Sequence, residues 1–541
     1  MRRSLFGVLL AAAACGGSER VQSAADAGGT LIIATPADAD ALLPPLVMTA
    51  TGRAVADNLF ERLAEPAAGD TVPVIGDAGW APRLATRWRW SADSLSLAFD
   101  LDPRARFHDG VPVRARDVVF SFNLVRNPAT GSATGPLLAN VDSVTATDSL
   151  TAVAWFKRKT PQRFYDIAYQ IFVLPSHLLD TIPPATLRTH PAARRPVGSG
   201  RFRFVEWRPG ERIEIASDTS HPRGRAVLDR VIWSLVPEPP AAMAQLVAGE
   251  ADLVENLRGG QFAEVRAVPT LKVVSIRTRT IGSMLFDARP THPVFGDARV
   301  RRAIAHAVDA AAIARNVFDS LGKPATGPLP GLSATTVPAF DRARAAALLD
   351  SAGWHAGPDG TRSRNGRALS FAILVPGPSR PRVQMATLIQ ESLRGLGIAV
   401  RVEQRDFPAF VAAVNQHRFD AAIQAYSTDP SPFGLAEQWG SRDGQPVPGN
   451  VTGWVSDSFV RSLEAAERAS TAAAVRAQLQ QAVDVLVQEA PAVFLVQPSG
   501  ALAMHARLVT SALREDGWWA TLADWSVDPA RRLARDASPA P

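Results

Sequence analysis

The serine, cysteine and histidine residues of this sequence do not form the motifs that are typical of enzymes. A hydrolase serine sits in a Gly-x-Ser-x-Gly turn, and the nearest segment, residues 331–335 (GLSAT), lacks the final glycine. A single cysteine excludes zinc sites built from several thiolates, and no His-Glu-x-x-His segment is present. Residues 198–200 (GSG) open a strand-like run rather than a helix, which predicts a turn instead of a phosphate-binding loop. These patterns favour a binding role over enzymatic activity, with no cofactor and no direct metal site.

The one cysteine, Cys15, ends a segment with the composition of a secretory signal. Arg2 and Arg3 precede an apolar run over residues 5–14. That run is about ten residues long, whereas a transmembrane helix needs about 20. Residues 12–15 (AAAC) are similar to a bacterial lipobox, in which the cysteine becomes the lipid-carrying first residue; an ordinary signal peptide with an incidental cysteine is the alternative. We expect a signal peptide over residues 1–14, lipidation at Cys15 and a flexible tether over residues 15–27.

The length and the charge of the chain limit the number of domains and the kinds of partner that we expect. A chain of 541 residues is too long for one hydrophobic core, which predicts two or three domains. The formal net charge of +6 comes almost entirely from arginines that are scattered along the chain. A nucleic-acid surface requires a basic patch or stripe, so we expect no nucleic-acid partner. No second apolar run is long enough to cross a membrane.

The elements that would position any binding residues follow an α/β pattern. Strand signals occur in the first half at residues 30–35, 87–101, 201–207, 212–216 and 229–236. Helical patterns in the second half begin beside the predicted caps Asp297, Asp341, Asp457 and Thr471. A helix lies between strand signals at 369–375 and 398–402. Alternating strands and helices predict a layered α/β architecture, followed by a frayed tail from Asp528 onward.

Several segments together carry a family resemblance, since they occur in one order between about residues 29 and 525. They are residues 84–88 (LATRW), 107–121 (FHDGVPVRARDVVFS), 196–202 (PVGSGRF) with Trp207, 297–304 (DARVRRAI), 340–354 (FDRARAAALLDSAGW), 390–402 and 489–491 (EAP). This series resembles the peptide/nickel-type extracytoplasmic solute-binding proteins, family 5, of ABC transporters.

The resemblance implies a bi-lobed α/β fold of the periplasmic-binding-protein type (type II, Venus-flytrap) with a third, inserted domain. The first lobe would consist of residues 28–58, residues 195–287 and a C-terminal return with a flexible tail over residues 500–541. The inserted domain would span residues 59–194, and the second lobe residues 288–499. The ligand would bind between the lobes of a monomer.

The resemblance also implies a function. We expect an extracytoplasmic lipoprotein of an ABC importer that captures a peptide or similar small organic solute and delivers it to permease subunits. It would reside in the periplasm or at the cell surface, held to the membrane by its lipid. Two alternatives remain open: a sensor that reports its ligand without transport, and a binding protein for a metal chelate of the nickel type.

Peptide binders of this family hold the two ends of the ligand with opposite charges. Arg380 lies where the arginine for the ligand carboxylate would lie, although a surface arginine is an equal alternative. The aspartate for the ligand's amino group would fall on Tyr426, counting back from the Asp429-Pro430 pair. Asp429 itself is more typical of a loop-forming residue. Without a carboxylate at position 426 a buried ammonium would have no partner, which argues against ordinary free-amine peptides.

An aromatic and amide set completes the expected ligand-binding residues. Trp439, Asn450 and Trp454 belong to a stretch that resembles a family loop near the cleft, where aromatic rings pack apolar groups or cations. Core packing is the alternative, and it is favoured for Trp454. Residues 37–45 follow the first strand and should face the cleft from the other lobe.

Overall fold

The computed structural model describes residues 28–537, except residues 68, 70, 258, 319–320, 331, 333–336, 378, 428–431 and 470. The predicted signal peptide, the tether with Cys15, and Asp429 therefore lie outside the described residues. In the described part, no helix is both long and apolar enough to cross a membrane.

The strands are numbered along the chain. They are β1 (Thr30–Thr35), β2 (Ala64–Pro66), β3 (Trp80–Pro82), β4 (Ala85–Trp90), β5 (Ser96–Leu101), β6 (Val141–Ala146), β7 (Thr151–Phe156), β8 (Phe202–Arg208), β9 (Arg212–Ser217), β10 (Arg230–Leu235), β11 (Leu253–Val254), β12 (Leu271–Ile276), β13 (Thr280–Phe286), β14 (Gly322–Pro324), β15 (His355–Ala356), β16 (Arg362–Arg364), β17 (Arg367–Ala368), β18 (Ser370–Gly377), β19 (Ala399–Asp406), β20 (Ala421–Ser427), β21 (Ser441–Arg442), β22 (Gln445–Pro446), β23 (Ala492–Pro498), β24 (Gly500–His505), β25 (Leu508–Val509) and β26 (Ser526–Val527).

The helices are numbered in the same way. They are α1 (Ala50–Leu59), α2 (Ala115–Arg126), α3 (Arg163–Ala168), α4 (Ser176–Leu179), α5 (Pro239–Ala248), α6 (Phe262–Arg266), α7 (Ala298–Ala307), α8 (Ala310–Phe318), α9 (Arg342–Ser351), α10 (Arg380–Arg394), α11 (Phe407–Asn415), α12 (Pro432–Trp439), α13 (Asp457–Arg468) and α14 (Ala472–Glu489).

One seven-stranded sheet is assembled from distant parts of the chain. Its order is β12-β24-β11-β1-β10-β9-β8. β1 pairs parallel with β10 and β11, whereas β24 pairs antiparallel with β11 and β12. Leu31 and Ile33 of β1 are fully buried against this sheet's core. We call this sheet and the segments packed on it the first lobe.

A six-stranded sheet forms the second lobe, in the order β14-β23-β13-β20-β18-β19. β18 pairs parallel with β19 and β20, because α10 and α11 carry the chain back between successive strands. The apolar stripes of α7, α9 and α10 pack on this sheet through residues such as Ile304, Leu349 and Ile389. The strand–helix–strand order read from residues 369–402 is the order found.

The chain passes between the two sheets at residues 277–279 and again at residue 499. The two passages are tied together: Thr278 Oγ1 donates to the Pro498 carbonyl at 2.6 Å, and Gln497 Nε2 donates to the Thr278 carbonyl at 2.8 Å. β13 already belongs to the second sheet, so the chain enters that sheet at residue 280. The early crossover places residues 277–279 beside both lobes.

The inserted domain has its own sheet and core. Its four antiparallel strands run in the order β4-β5-β7-β6, and α2 and α3 pack against them through Phe122 and Phe164. The core of this domain extends to Val173. Farther along, Leu179 and Leu187 are buried in the core of the first lobe instead, because the segment after residue 173 returns to that lobe.

Two of the sequence blocks meet where the inserted domain joins the first lobe. The imidazole of His108 accepts from the Gly198 N–H at 3.2 Å, and its other nitrogen lies 2.9 Å from the Gly200 carbonyl. Burial lowers the pKa of His108. A Cβ at Gly198 would lie 1.9 Å from the Leu59 carbonyl oxygen, so only glycine fits there. His108 therefore has a structural role at this junction.

The C-terminal segment closes over the start of β1. Asp536 accepts from the Thr30 N–H at 2.9 Å and from Arg507 Nη1 at 2.6 Å. Arg507 also pairs with Asp252 at 2.7 Å, and the side chains of all three ionic residues are 0% exposed. The composition of this segment predicts a frayed tail, whereas its described part through residue 537 packs on the first lobe.

Candidate functional site

A cavity of about 480 Å³ lies where the first lobe, the inserted domain and the crossover meet. The last residue of β20, Ser427, reaches it from the second lobe. The loop after β1 reaches it from the first lobe, so the carboxyl ends of strands from both sheets point to the same space. Open α/β sheets place ligands at these ends. The first lobe and its C-terminal return contribute Pro44, Pro45, Val47, Arg53, Ala56, Asp57, Glu515 and Asp516, the crossover contributes Arg279, and the inserted domain contributes Arg62, Val72, Val125, Ser132, Ala133, Thr134, Leu137, Tyr165, Tyr169, Gln170 and Phe172.

The loop after β1 is held in shape by Asp40. Its carboxylate accepts from the Met48 and Thr49 backbone N–H groups, each at 3.1 Å, and from the Thr49 hydroxyl at 2.9 Å. Thr49 in turn caps α1 by accepting from the Gly52 N–H at 3.2 Å. A Cβ at Gly52 would lie 2.7 Å from the Ala41 carbonyl oxygen, so the loop can fold against the helix only over a glycine. Pro45 and Val47 of this loop line the cavity, as do Arg53 and Ala56 of α1.

A buried ionic network, which we call the wall network, forms one side of the cavity. It consists of Arg62, Glu65, Tyr169, Arg514 and Asp516. Glu65 bridges the two arginines at 3.0 Å to Arg62 and 2.8 Å to Arg514. Arg514 also binds both oxygens of Asp516, at 3.0 and 2.7 Å. The Tyr169 hydroxyl contacts Arg514 and Asp516, so the network joins the inserted domain to the C-terminal return.

The wall network keeps its carboxylates ionised. Burial acts to raise the pKa of Glu65, but Arg62 and Arg514 outweigh it and hold that pKa below its ordinary value. Burial likewise opposes ionisation of Asp516, and its bonds with Arg514 again lower its pKa. Burial raises the pKa of Tyr169 well above its ordinary value, so the phenol stays neutral. The guanidinium of Arg62 also lies 3.7 Å from the centre of the Phe172 ring, which desolvates it further.

A second set of charges borders the cavity beside this network. Asp57 lies 3.4 Å from Arg62, and its other oxygen accepts from Trp519 Nε1 at 2.9 Å. Glu515 pairs with Arg279 of the crossover at 2.8 Å, and both side chains are nearly buried. Arg53 on α1 reaches Asp57 only at 3.9 Å and is 56% exposed.

A lone carboxylate lies near the carboxyl edge of the first sheet. Glu255 follows β11 and accepts from Trp518 Nε1 at 3.2 Å. Burial raises the pKa of Glu255, and the hydrogen bonds from Thr35 and Trp518 only partly offset that rise. Glu255 does not line the cavity.

The two charge-recognising positions expected from the resemblance lie away from the cavity. Arg380 is the first residue of α10 and is exposed, without lining the cavity. The Tyr426 ring packs on the core formed by α13, α14 and Trp439. Its hydroxyl is buried and has no hydrogen-bond partner in the described residues, and burial raises its pKa. Only its neighbour Ser427 reaches the cavity.

Trp439, Asn450 and Trp454 are brought together, but inside the second lobe. Their relative exposures are 1%, 2% and 3%. Asn450 Nδ2 donates to the carbonyls of Trp439 at 3.2 Å and Trp454 at 2.8 Å, which fixes the loop between them. Trp454 Nε1 donates to Glu489 at 2.8 Å. A ligand-binding role for these three residues and for Arg380, Tyr426 and Asp429 stays a prediction.

The cavity charges were not found from the sequence. Asp57, Arg62, Glu65, Arg514 and Asp516 are separated by up to hundreds of positions, and their partners are known only once the chain is folded. The many scattered arginines of the chain hide the few that are buried. The loop after β1 is the one part of the cavity that the sequence did predict.

Comparison with known proteins decides the family. Residues 79–445 match the model of "Bacterial extracellular solute-binding proteins, family 5 Middle", which covers more than half of the chain. The chain belongs to this family. Membership confirms the family resemblance and the prediction that the protein is a non-enzymatic, extracytoplasmic solute-binding protein.

A curated relative and two solved structures are similar to most of the chain. The oligopeptide-binding protein AppA of Bacillus subtilis is 26% identical over 76% of this chain and 77% of its own. The structure of the ABC transporter substrate-binding protein CtaP of Listeria monocytogenes has a TM-score of 0.80 at 18% identity, over 93% of this chain and 100% of its own. That of NikZ from Campylobacter jejuni with Ni(L-His) has a TM-score of 0.73 at 22% identity, over 92% and 99%. The family 5 fold is thereby confirmed as the predicted α/β class.

Proposed function

We propose that this family 5 protein is the receptor lipoprotein of an ABC importer, and that it captures a peptide or a similar small organic solute in the cavity at the crossover. The observation that carries the proposal is the cavity itself, which both lobes and the inserted domain border. A volume of about 480 Å³ falls within the range of small-molecule sites, roughly 300–1,000 Å³. The name of the AppA relative, an oligopeptide-binding protein, supports a peptide as ligand.

The site suits a ligand with both polar and apolar parts. The cavity has apolar surface and also polar groups. The apolar lining includes Val47, Val72, Val125 and Leu137, and the polar lining includes Arg62, Tyr169, Asp516 and Ser427. Binding can favour one arrangement of the lobes only if the ligand contacts that arrangement better than others. Ser427 and Arg279 meet that requirement, because they belong to the second lobe and the crossover while the rest of the cavity belongs elsewhere.

Export and membrane attachment complete the proposal. The signal-like segment before Cys15 supports export, and a lipid on Cys15 would hold the protein near permease subunits through the tether over residues 15–27. Metabolic labelling with a radioactive fatty acid tests the anchor. We expect label in the full chain and none in Cys15→Ser, and equal labelling of both would contradict lipidation at this cysteine.

A thermal-shift screen of residues 16–541 with pools of di- to pentapeptides tests the proposed ligand class. A ligand at 100 times its dissociation constant adds about 2.7 kcal/mol to the free energy of unfolding. Ser427→Trp fills the cavity from the second lobe and should abolish the shift. Ser363→Trp, on an exposed residue of β16, is the matched control and should retain it. A peptide shift that survives Ser427→Trp, or no peptide shift in the unmodified protein, would contradict the proposal.

A further inference from the structure

The carboxylates that border the cavity are already occupied. Asp516 holds Arg514 through both oxygens and contacts the Tyr169 hydroxyl. Glu515 holds Arg279 at 2.8 Å. Asp57 pairs with Arg62 at 3.4 Å and accepts a hydrogen bond from the Trp519 indole at 2.9 Å. A ligand ammonium would have to displace a buried guanidinium from one of these groups, and breaking a buried ion pair is costly.

The arginines that border the cavity differ in whether they have a close carboxylate partner. Arg62 has two carboxylate partners and is 5% exposed, and Arg279 is paired and 12% exposed. Arg53 has only the 3.9 Å approach to Asp57, whose two oxygens already have closer partners. In the described part of the chain it therefore keeps most of the five donors of its guanidinium free.

The position of Arg53 on its helix is unfavourable without a ligand. It is the fourth residue of α1, near the positive end of the helix dipole, and no acidic residue occupies the first turn. Arg53 itself lines the cavity, together with Ala56 and Asp57 of the same helix. Proteins often retain a locally unfavourable charge, such as a cation near a helix N-terminus, at a functional site. An anion placed beside Arg53 would interact favourably with its guanidinium.

We propose that Arg53 binds an anionic group of the ligand, so that the cavity selects solutes with a free carboxylate and does not require a free amine. The proposal rests on the proposed solute-binding function and names its chemical class. Neither Arg380, which lies outside the cavity, nor Tyr426, which packs in the core of the second lobe, takes this role.

The test compares four forms of each pool of di- to pentapeptides by native mass spectrometry of residues 16–541: unmodified, N-acetylated, C-amidated and doubly blocked. We expect N-acetylated peptides to bind as well as unmodified ones, and C-amidated peptides to bind about tenfold or more weakly. Arg53→Gln should weaken binding of the free carboxylate by the same factor and leave the amidated forms unchanged, since both changes remove one interaction. Arg401→Gln, on a residue 78% exposed in β19, is the matched control and should have no effect.

The outcomes separate the two proposals. Loss of binding on N-acetylation, with Arg53→Gln unchanged, would overturn the role of Arg53 and leave peptide capture standing. A loss confined to Arg380→Gln would overturn it as well, by moving the anion to α10. Failure of every peptide form to bind would instead refute the proposed peptide ligand, and with it the inference that rests on it.

Discussion

Replacing Arg514 by methionine should destabilise the protein strongly. The change removes the ion pairs of Arg514 with Glu65 and Asp516 but largely preserves the volume of the side chain. The Arg514 side chain is 6% exposed and pairs with Glu65 at 2.8 Å and with Asp516 at 2.7 Å. Its removal leaves Asp516 without its bidentate partner and Glu65 with Arg62 alone. Removing one partner of a buried ion pair costs about 3–5 kcal/mol, since a charge is left without compensation.

Urea unfolding followed by tryptophan fluorescence measures this loss. The matched control is Arg87→Met, because Arg87 also pairs with an aspartate, Asp100, but is 72% exposed. A pair at that exposure contributes about 1 kcal/mol or less. The Arg514 variant should therefore lose at least about three times as much free energy of unfolding as the control.

The pH dependence supplies a second readout. The pKa values of Glu65 and Asp516 lie below their ordinary values of 4.5 and 3.8 in the folded protein. Their contribution is therefore present above those ordinary values and is lost as the pH falls through the lower folded values. The cost of Arg514→Met should accordingly shrink as the pH is lowered below about 4.5. A cost below about 1 kcal/mol at pH 7, or one that grows on acidification, would show that Arg514 does not stabilise the fold through its carboxylate partners.

Two further changes probe the first lobe. Asp536→Ala removes one of the two carboxylates on the fully buried Arg507, and should lower the free energy of unfolding by about 3–5 kcal/mol in urea titrations; an unchanged midpoint would mean that the C-terminal segment does not hold β1. Glu255→Gln should raise the melting temperature at pH 7, because the raised pKa of Glu255 shows that ionising it costs stability above that pKa. The gain should vanish below about pH 4.5, and calorimetry that finds no gain at pH 7 would contradict the assignment.

Local patterns predicted the elements well because they depend on near neighbours. The strand at residues 30–35 occurs as predicted, and Asp297 caps α7 by accepting from the Arg299 N–H. The predicted cap Asp457 was wrong by one position. Ser456 caps α13 instead, because its hydroxyl is the group that reaches the Phe459 N–H.

The surroundings of the site residues could not be predicted from the sequence, because these residues become neighbours only in the folded chain. Arg53 stands out only through its neighbours: Asp57 is already bonded to Trp519, which is far away in sequence. The rings of Trp439 and Trp454 could have faced either the cleft or the core by type alone, and the fold places both in the core. The position of the crossover likewise required the register of β13 with β20 and β23.

A crystal structure of residues 16–541 with a peptide taken from the binding screen tests the central claim most directly. We expect electron density for the peptide in the cavity bordered by Pro45, Tyr169, Arg279 and Ser427, with an anionic group within hydrogen-bonding distance of Arg53. Density for the peptide at any other surface, with this cavity empty, would contradict the claim that this space is the solute-binding site.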